Sequence, residues 1–147
     1  MIEWKYTARE KLRDYEAQQN AVRGIPLEIE SLRSKSESIK SMDPNAIRVM
    51  GGDATREDLL LSNLVHQAEL ERMLVRAKIA VQLVDDALDI LDAEELRILD
   101  LMHIHPTKGK IERIKEEFGL DETKSVYRRV DKALRKFTVA YYGSTES

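Results

Sequence analysis

Residues 118–137, FGLDETKSVYRRVDKALRKF, outline the end of one helix, a turn and a second helix. Upstream of this stretch Pro106 and Gly109 break the chain, and residues 111–118 have the apolar spacing of a short helix. A glycine-containing turn follows at residues 119–121, and a longer helix begins after it. This order of elements is typical of a helix-turn-helix.

The second helix of this stretch has two distinct faces at 100° per residue. Its apolar residues fall together on the side that is expected to pack inward: Val126, Val130, Ala133, Leu134 and Phe137. Polar and cationic residues occupy the opposite side, namely Lys124, Ser125, Arg128, Lys132 and Arg135, with Arg129 and Lys136 at the border. The pattern predicts a docked helix with a cationic outer ridge.

In a helix-turn-helix the first two turns of the second helix enter the major groove of DNA. The residues predicted to meet base edges are therefore Lys124, Ser125, Tyr127 and Arg128. Arg128 is the best suited of them, because its guanidinium can bond bidentately to guanine. The predicted phosphate contacts are Lys132, Arg135, Lys108 and Lys110, and Arg129 at the border completes the predicted DNA-binding set.

Charge is divided unevenly along the 147 residues, whose net formal charge is -3. Residues 103–143 hold 10 Lys and Arg against 6 Asp and Glu, whereas residues 1–102 hold 14 against 20. A basic end piece on an acidic body favours contact with a polyanion such as double-stranded DNA.

Composition excludes several other classes of protein. Cysteine is absent and histidine occurs three times, so disulfides, thiolate chemistry and a structural zinc site are not expected. No apolar run reaches the length of a membrane span, and the first residues, MIEWKYTAREK, carry charges where a signal peptide is apolar. We expect a cytoplasmic, all-α protein without a membrane partner.

The N-terminal part has helical periodicity interrupted at two places. Around Gly24 and Pro26 the pattern fits either two helices or one long helix kinked there. Residues 42–55 have turn formers at both ends and predict a loop, after which Thr55 and Asp58 form the capping box of a helix over residues 57–91.

That helix carries a coiled-coil seam in steps of four and three residues. The seam, predicted to pack along the first helices, along a second copy of the chain, or along both, consists of Asn63, Gln67, Leu70, Leu74, Ala77, Val81, Val84, Leu88 and Leu91. Its two amides are expected to fix register or oligomeric state.

The predicted organisation has three parts. Residues 1–91 form a long helical hairpin or coiled coil for oligomerisation, residues 92–143 the helix-turn-helix domain, and residues 144–147 a tail. Asp92 and Glu95 have the spacing of a second capping box, which predicts a helix that continues to Met102. Val139 and Tyr142 fall on the ridge side of the last helix and are expected to be covered by the long helices or a second copy.

Residues 118–137 resemble the helix-turn-helix of sigma-70 region 4, with a glycine before a short turn, a valine one turn into the second helix and an ALRKL-type ending. Together with residues 14–32, DYEAQQNAVRGIPLEIESL, and 60–74, LLSNLVHQAELERML, they resemble small prophage-encoded regulators of the RinA and ArpU types in Gram-positive bacteria. The resemblance implies a sigma-like transcriptional regulator that binds DNA sequence-specifically, with an N-terminal helical region for assembly or partner contact. RNA polymerase is a further partner that it suggests, in a bacterial host.

The turn departs from the sigma pattern in one respect. Five residues, DETKS, separate Leu120 from Val126, where sigma-like turns have four. This leaves open which of Thr123, Lys124 and Ser125 begins the groove-facing surface.

Enzymatic chemistry finds little support in the sequence. Asp85, Asp86 and Asp89 match a DDxxD pattern, but a second acidic motif is missing, and a solvated acidic face is the simpler interpretation. His103 and His105 are interpreted as the end of the helix that begins after Asp92. We therefore predict no catalytic residue, no metal, no cofactor and no small-molecule substrate.

An assembly or adaptor protein is the alternative function. A small terminase-like DNA-packaging subunit or an RNA-polymerase-binding factor would also join a helix-turn-helix to helices that oligomerise. A ring of many copies in solution would favour the terminase-like hypothesis, and a monomer or dimer would favour the regulator.

Overall fold

The computed structural model describes residues 3–43 and 55–145, and every regular element within these ranges is a helix. The elements are α1 (Trp4–Ser41), α2 (Arg56–Leu88), α3 (Ala93–Leu99) with a π-helical turn (Asp100–Ile104), α4 (Lys110–Phe118) and α5 (Thr123–Tyr142). The predicted all-α class is confirmed. Most of the predicted loop at 42–55, and the last two residues of the predicted tail, lie outside the described residues.

Helix α1 runs without interruption through Gly24 and Pro26. Of the two alternatives that the sequence left open, the structure has the single helix. Proline removes one backbone donor from the helix ladder, but Ile25 and Ile29 on either side of this position are buried and hold the helix against its neighbour.

Two compact units can be distinguished along the chain, and the first consists of Asn20–Lys78. In this hairpin unit the second half of α1 packs against the first part of α2 through Ile25, Ile29, Leu32 and Leu70. An ion pair at 3.7 Å between Arg33 and Glu71 lies at the surface of the same contact.

A buried polar network continues the apolar contact of the hairpin unit. Asn63 accepts a hydrogen bond from the Ser36 hydroxyl at 2.8 Å and donates to the Leu32 carbonyl at 3.0 Å. Gln67 donates to Asn63 as well. The two seam amides thus meet partners in the same chain, and because their bonds require specific pairing they fix the register of the two helices.

The second compact unit consists of Met1–Gln19 and Ile79–Ser147, and we refer to it as the C-terminal unit. Its core joins residues from the start of α1, the end of α2 and all later helices. The largest side chains that are fully buried in it are Leu12, Leu99, Ile114, Val126, Leu134 and Phe137.

These units differ from the division predicted at residues 91 and 92. Ala8 and Leu12 of α1, and Val84 and Leu88 of α2, belong to the same apolar core as α3 to α5. The seam residues of α2 therefore serve two cores in succession, and Leu74 and Val81, which lie between the two amides and Val84, are only partly buried. Helix α2 also ends at Leu88, three residues before the predicted end.

Both predicted capping boxes are present. Thr55 and Asp58 exchange two hydrogen bonds of 3.1 Å, and Asp92 and Glu95 exchange bonds of 2.8 and 3.0 Å. Each box satisfies backbone donors that the first turn of a helix leaves free.

The helix after Asp92 does not continue to Met102, and this prediction was wrong. It ends as an α-helix at Leu99 and widens into the π-helical turn, which closes with a 2.8 Å bond from the His105 amide to the Asp100 carbonyl. The wider turn keeps three apolar side chains, Leu101, Met102 and Ile104, in the core.

Within the described residues no helix has the length and apolar character needed to cross a membrane. The same residues contain no group of three or more His, Asp and Glu side chains arranged to hold a metal ion. Two of the three aspartates of the DDxxD pattern have other partners, since Asp85 accepts a bond from Tyr15 and Asp86 a 2.7 Å bond from Gln82.

Candidate nucleic-acid interface

The turn between α4 and α5 is built on Gly119, whose φ of 66° lies in the left-handed region that favours glycine. Its neighbour Leu120 donates a 2.8 Å backbone bond to the Lys115 carbonyl and closes the end of α4. Helix α5 then begins at Thr123, with Glu122 in extended conformation before it. Four residues, 119–122, therefore separate the two helices.

The first turn of α5 shows where the outward surface of this helix begins, a point that the sequence left open. Thr123 and Lys124 are exposed in the first turn, whereas Ser125 is half-buried. The outward surface of α5 thus begins at Thr123, and Ser125 contributes to it only in part.

The inner face of α5 is fixed by a continuous buried stripe. The five residues predicted to pack inward are 97 to 100% buried: Val126, Val130, Ala133, Leu134 and Phe137. Ile114 of α4 is fully buried in the same core. Because rotation of α5 about its axis would expose this stripe, its packing determines which side chains face outward.

The outer face carries three cations that no other described residue neutralises. Lys124, Arg128 and Lys132 are exposed and have no hydrogen bond or ion pair with any side chain in residues 3–43 and 55–145. They follow one another at steps of four residues and share one side of the helix. Tyr127, 48% exposed, stands next to Arg128.

The border cations, in contrast, are paired with α3. Arg129 lies 3.6 Å from the Glu94 carboxylate and 5.9 Å from the centre of the Phe118 ring. Lys136 donates a 2.8 Å hydrogen bond to Glu95, and this bond raises the pKa of the Lys136 ammonium group. Arg129, Glu94 and Lys136 are exposed to solvent, so both pairs contribute little to stability, but they reduce the positive charge offered along this edge.

Arg135 is held in a different way. Its guanidinium stacks over the Trp4 ring with a 5.0 Å distance to the ring centre, and it donates a 3.4 Å bond to Thr145. A guanidinium stacked on an aromatic ring keeps its charge. Arg135 remains exposed but is tethered to the N-terminal end of α1.

The two lysines predicted before α4 are not equivalent. Lys108 is exposed and has no partner among the described residues. Lys110 is half-buried, and its ammonium group donates a 3.3 Å bond to the Met102 carbonyl. Only Lys108 presents an unengaged charge.

A cleft of about 320 Å³ lies beside the border cations. Its lining combines both signs of charge: Asp92, Glu94, Glu95, Ile98, Phe118, Arg129 and Lys132. The carboxylates oppose binding of an anion at this position. We find no arrangement of nucleophile, base and oxyanion donors there, so the cleft gives no indication of catalysis.

Sequence reasoning missed the role of Glu94 and Glu95 as partners of the border cations. The available signal is two consecutive acidic residues in the first turn of α3, of which only Glu95 has a predicted role, in the capping box. Whether such acids reach a second helix depends on packing, which the periodicity of one helix does not report.

Comparisons with known proteins give no match for this chain, whether with protein-family models, with curated proteins or with solved structures.

Proposed function

We propose that this chain is a sequence-specific DNA-binding regulator of transcription that inserts the first turns of α5 into the major groove. The observation that carries the proposal is the row of Lys124, Arg128 and Lys132, exposed and unpaired on a helix whose other face is locked in the core. Helix α4, the four-residue turn and α5 supply the order of elements of a helix-turn-helix. The resemblance of residues 118–137 to sigma-70 region 4 points to the same function.

Each exposed side chain has a role that follows from its chemistry and position. Arg128, one turn into α5, can bond bidentately to a guanine, and Lys124 and Tyr127 flank it on the groove side. We assign Lys132 and Lys108 to phosphate contacts, which position the protein without reading sequence.

The pairing of the border cations makes a quantitative expectation possible. If only the unpaired cations Lys108, Lys124, Arg128 and Lys132 release counterions, log K should fall with log salt with a slope of about -4. If Arg129, Arg135 and Lys136 also contacted phosphate, the slope would be about -6. Fluorescence anisotropy with a labelled duplex over a range of salt concentrations distinguishes the two values.

Two substitutions distinguish recognition of bases from contact with phosphates. A preferred site is first selected from a random duplex library with the purified protein. Arg128→Ala should then weaken the selected site by about tenfold or more and random DNA much less, whereas Lys132→Ala should weaken both alike. Lys35→Ala, which removes an exposed lysine of the hairpin unit, is the matched control and should change neither affinity.

The proposal fails if wild-type protein binds no duplex at low salt, or if Lys35→Ala weakens binding as much as Arg128→Ala. In the first case the alternative of an assembly or adaptor protein gains support. Apolar side chains exposed along α2, such as Leu61 and Leu64, are the observation that favours this alternative. A ring of many copies in solution would then indicate a terminase-like packaging subunit.

A further inference from the structure

The last three turns of α2, and Ile90 two residues beyond its end, expose apolar side chains on the side opposite the buried seam. Ile79, Leu83 and Ile90 are 55, 46 and 57% exposed, although all three belong to the C-terminal unit. Ile79 and Leu83, four positions apart, share one face of α2. Ile90 lies in the turn that continues the helix, where its amide donates a 3.4 Å bond to the Ala87 carbonyl. We refer to these three residues as the exposed stripe. Val84 and Leu88, on the opposite side, are buried.

This stripe is continuous with a groove at the end of α5. The groove has a volume of about 370 Å³, and its lining is almost entirely apolar. Ile90 lines it from the turn after α2, and the other lining residues belong to α5: Lys132, Arg135, Lys136, Val139 and Ala140. Val139 is 47% exposed and Tyr142, one turn further on, is 45% exposed. Val139 and Tyr142, which were expected to be covered, are therefore about half exposed among the residues that the structure describes.

Opposite charges flank the two sides of this apolar surface. On the α2 side Asp86 lies within the stripe and Asp89 beside it, and neither forms an ion pair with another described residue. On the α5 side Lys132, Arg135 and Lys136 rim the groove; Lys132 and Arg135 keep an unneutralised charge, whereas Lys136 is paired with Glu95. A surface that is acidic on one side and basic on the other is complementary to itself after rotation by a two-fold axis.

We propose that this surface is a self-association interface, in which two copies of the chain dock their C-terminal units through it. Leu83 and Ile90 of each copy cover the groove beside Val139 of the other, and the aspartates of one copy face the cationic rim of its partner. With about half of each side chain exposed, Ile79, Leu83, Ile90, Val139 and Tyr142 offer on the order of 400 Å² per copy. The charged rim adds to this, toward the ~800 Å² per partner of an interface of standard size.

The interface lies on a different face of α2 from the predicted coiled-coil seam. Asn63, Gln67 and Leu70 of that seam are already buried within the hairpin unit. A second copy consequently has no access to them without unfolding that unit. The exposed stripe needs no such rearrangement.

Sedimentation velocity of the full chain across micromolar concentrations tests the proposal. The wild-type protein should form dimers, and Ile90→Asp and Val139→Asp should each weaken dimerisation by about tenfold or more, because each places a carboxylate in the desolvated centre of the interface. Leu61→Asp is the matched control, since Leu61 is a similarly exposed apolar residue of α2 in the hairpin unit. Circular dichroism establishes that each variant remains helical.

Charge complementarity is tested separately. Asp86→Lys should weaken dimerisation by about tenfold, because it places a cation against the cationic rim, whereas Glu69→Lys in the hairpin unit changes net charge equally and should leave dimerisation unchanged. A wild-type protein that stays monomeric at all concentrations would overturn the proposal. So would a dimer that Leu61→Asp weakens but Ile90→Asp does not, since another face would then form the contact. Neither outcome depends on DNA binding.

Discussion

Acidification should destabilise the C-terminal unit through one side chain, His103 in the π-helical turn. This histidine is largely buried, and its Nε2 atom has no hydrogen-bond partner among the described residues. Burial and the positive charges of Arg9, Lys110 and Arg13 lower the pKa of His103 from 6.5 to about 4. The folded state therefore holds the ring neutral well below the pH at which the unfolded chain protonates it.

The sign of the effect follows from proton linkage. Between about pH 6.5 and about pH 4 the unfolded chain binds a proton at His103 that the folded protein does not bind, so the free energy of unfolding falls as the pH falls. The stabilisation that comes from the neutral His103 ring is fully present above about pH 6.5. The difference between the two pKa values sets an upper limit of about 3 kcal/mol, and the remaining exposure of the side chain makes about 2 kcal/mol a better expectation.

His105 contributes with the opposite sign. Its hydrogen bond to Asp100, at 2.5 Å, raises the pKa of the imidazole, and Glu16 at 3.6 Å acts in the same direction. Stability from this pair is present below about pH 6.5 and is lost as the pH rises through the pKa of His105 in the folded protein. The imidazole is exposed, so this contribution is small.

Urea unfolding followed by circular dichroism, near pH 7.5 and near pH 4.5, measures the effect. Carboxylates also titrate in this range, so the comparison is between wild type and His103→Gln, which keeps a polar side chain that does not titrate. Wild type should lose about 2 kcal/mol more than the variant on acidification. Equal losses in both proteins, or an NMR titration of the His103 ring with a midpoint above pH 6, would refute the reasoning.

Three further predictions concern local chemistry. Gly24→Ala should stabilise α1 by about 0.5–1 kcal/mol, whereas Gly119→Ala should destabilise the folded protein by about 1 kcal/mol. The added methyl group meets no atom at either position, but only Gly119 has a positive φ. A thermal unfolding midpoint that moves in the same direction for both variants would contradict this. Asn63→Ala should cost about 2 kcal/mol in urea unfolding, since it leaves a buried hydroxyl and a carbonyl without their partner, and a loss below about 0.5 kcal/mol would indicate a network open to water. Burial and the bond to Asp85 raise the pKa of Tyr15 to about 12, so an ultraviolet titration compared with Tyr15→Phe should show a late-ionising tyrosine, and Asp85→Asn should bring its ionisation to lower pH.

The features that the sequence predicted well depend on residues within one or two helical turns. The capping box of Asp92 and Glu95 is local, and so is the stripe of α5 from Val126 to Phe137. In both cases the spacing of residue types defines the geometry, since helical geometry is nearly invariant. The exposed row of cations follows from the same stripe.

The features that the sequence could not predict depend on how separate helices pack. Lys136 and Glu95 are 41 positions apart, and their pairing requires a particular approach of α5 to α3. The end of α2 joins the C-terminal unit because Val84 and Leu88 meet α3 to α5 instead of α1 alone. The heptad pattern is continuous from Leu70 to Leu91, and no residue in it indicates where the packing partners of α2 change from α1 to the later helices.

Helix α2 shows why a heptad pattern identifies one apolar seam of a helix and overlooks a second apolar face. A second apolar series at steps of three and four residues runs Leu61, Val65, Ala68, Arg72, Val75, Ile79, Leu83, Asp86 and Ile90, and two charged residues interrupt it. In a pattern search Arg72 and Asp86 mark this face as solvated. In the structure the other face of α2 is occupied by the chain itself, so the large apolar members of the series are left exposed, and those from Ile79 to Ile90 belong to the proposed interface. At an interface between copies a charged position has a partner of opposite sign, and Asp86 then favours association instead of opposing it. The interruption that hides this surface from periodicity analysis is, on this argument, what gives the surface its specificity.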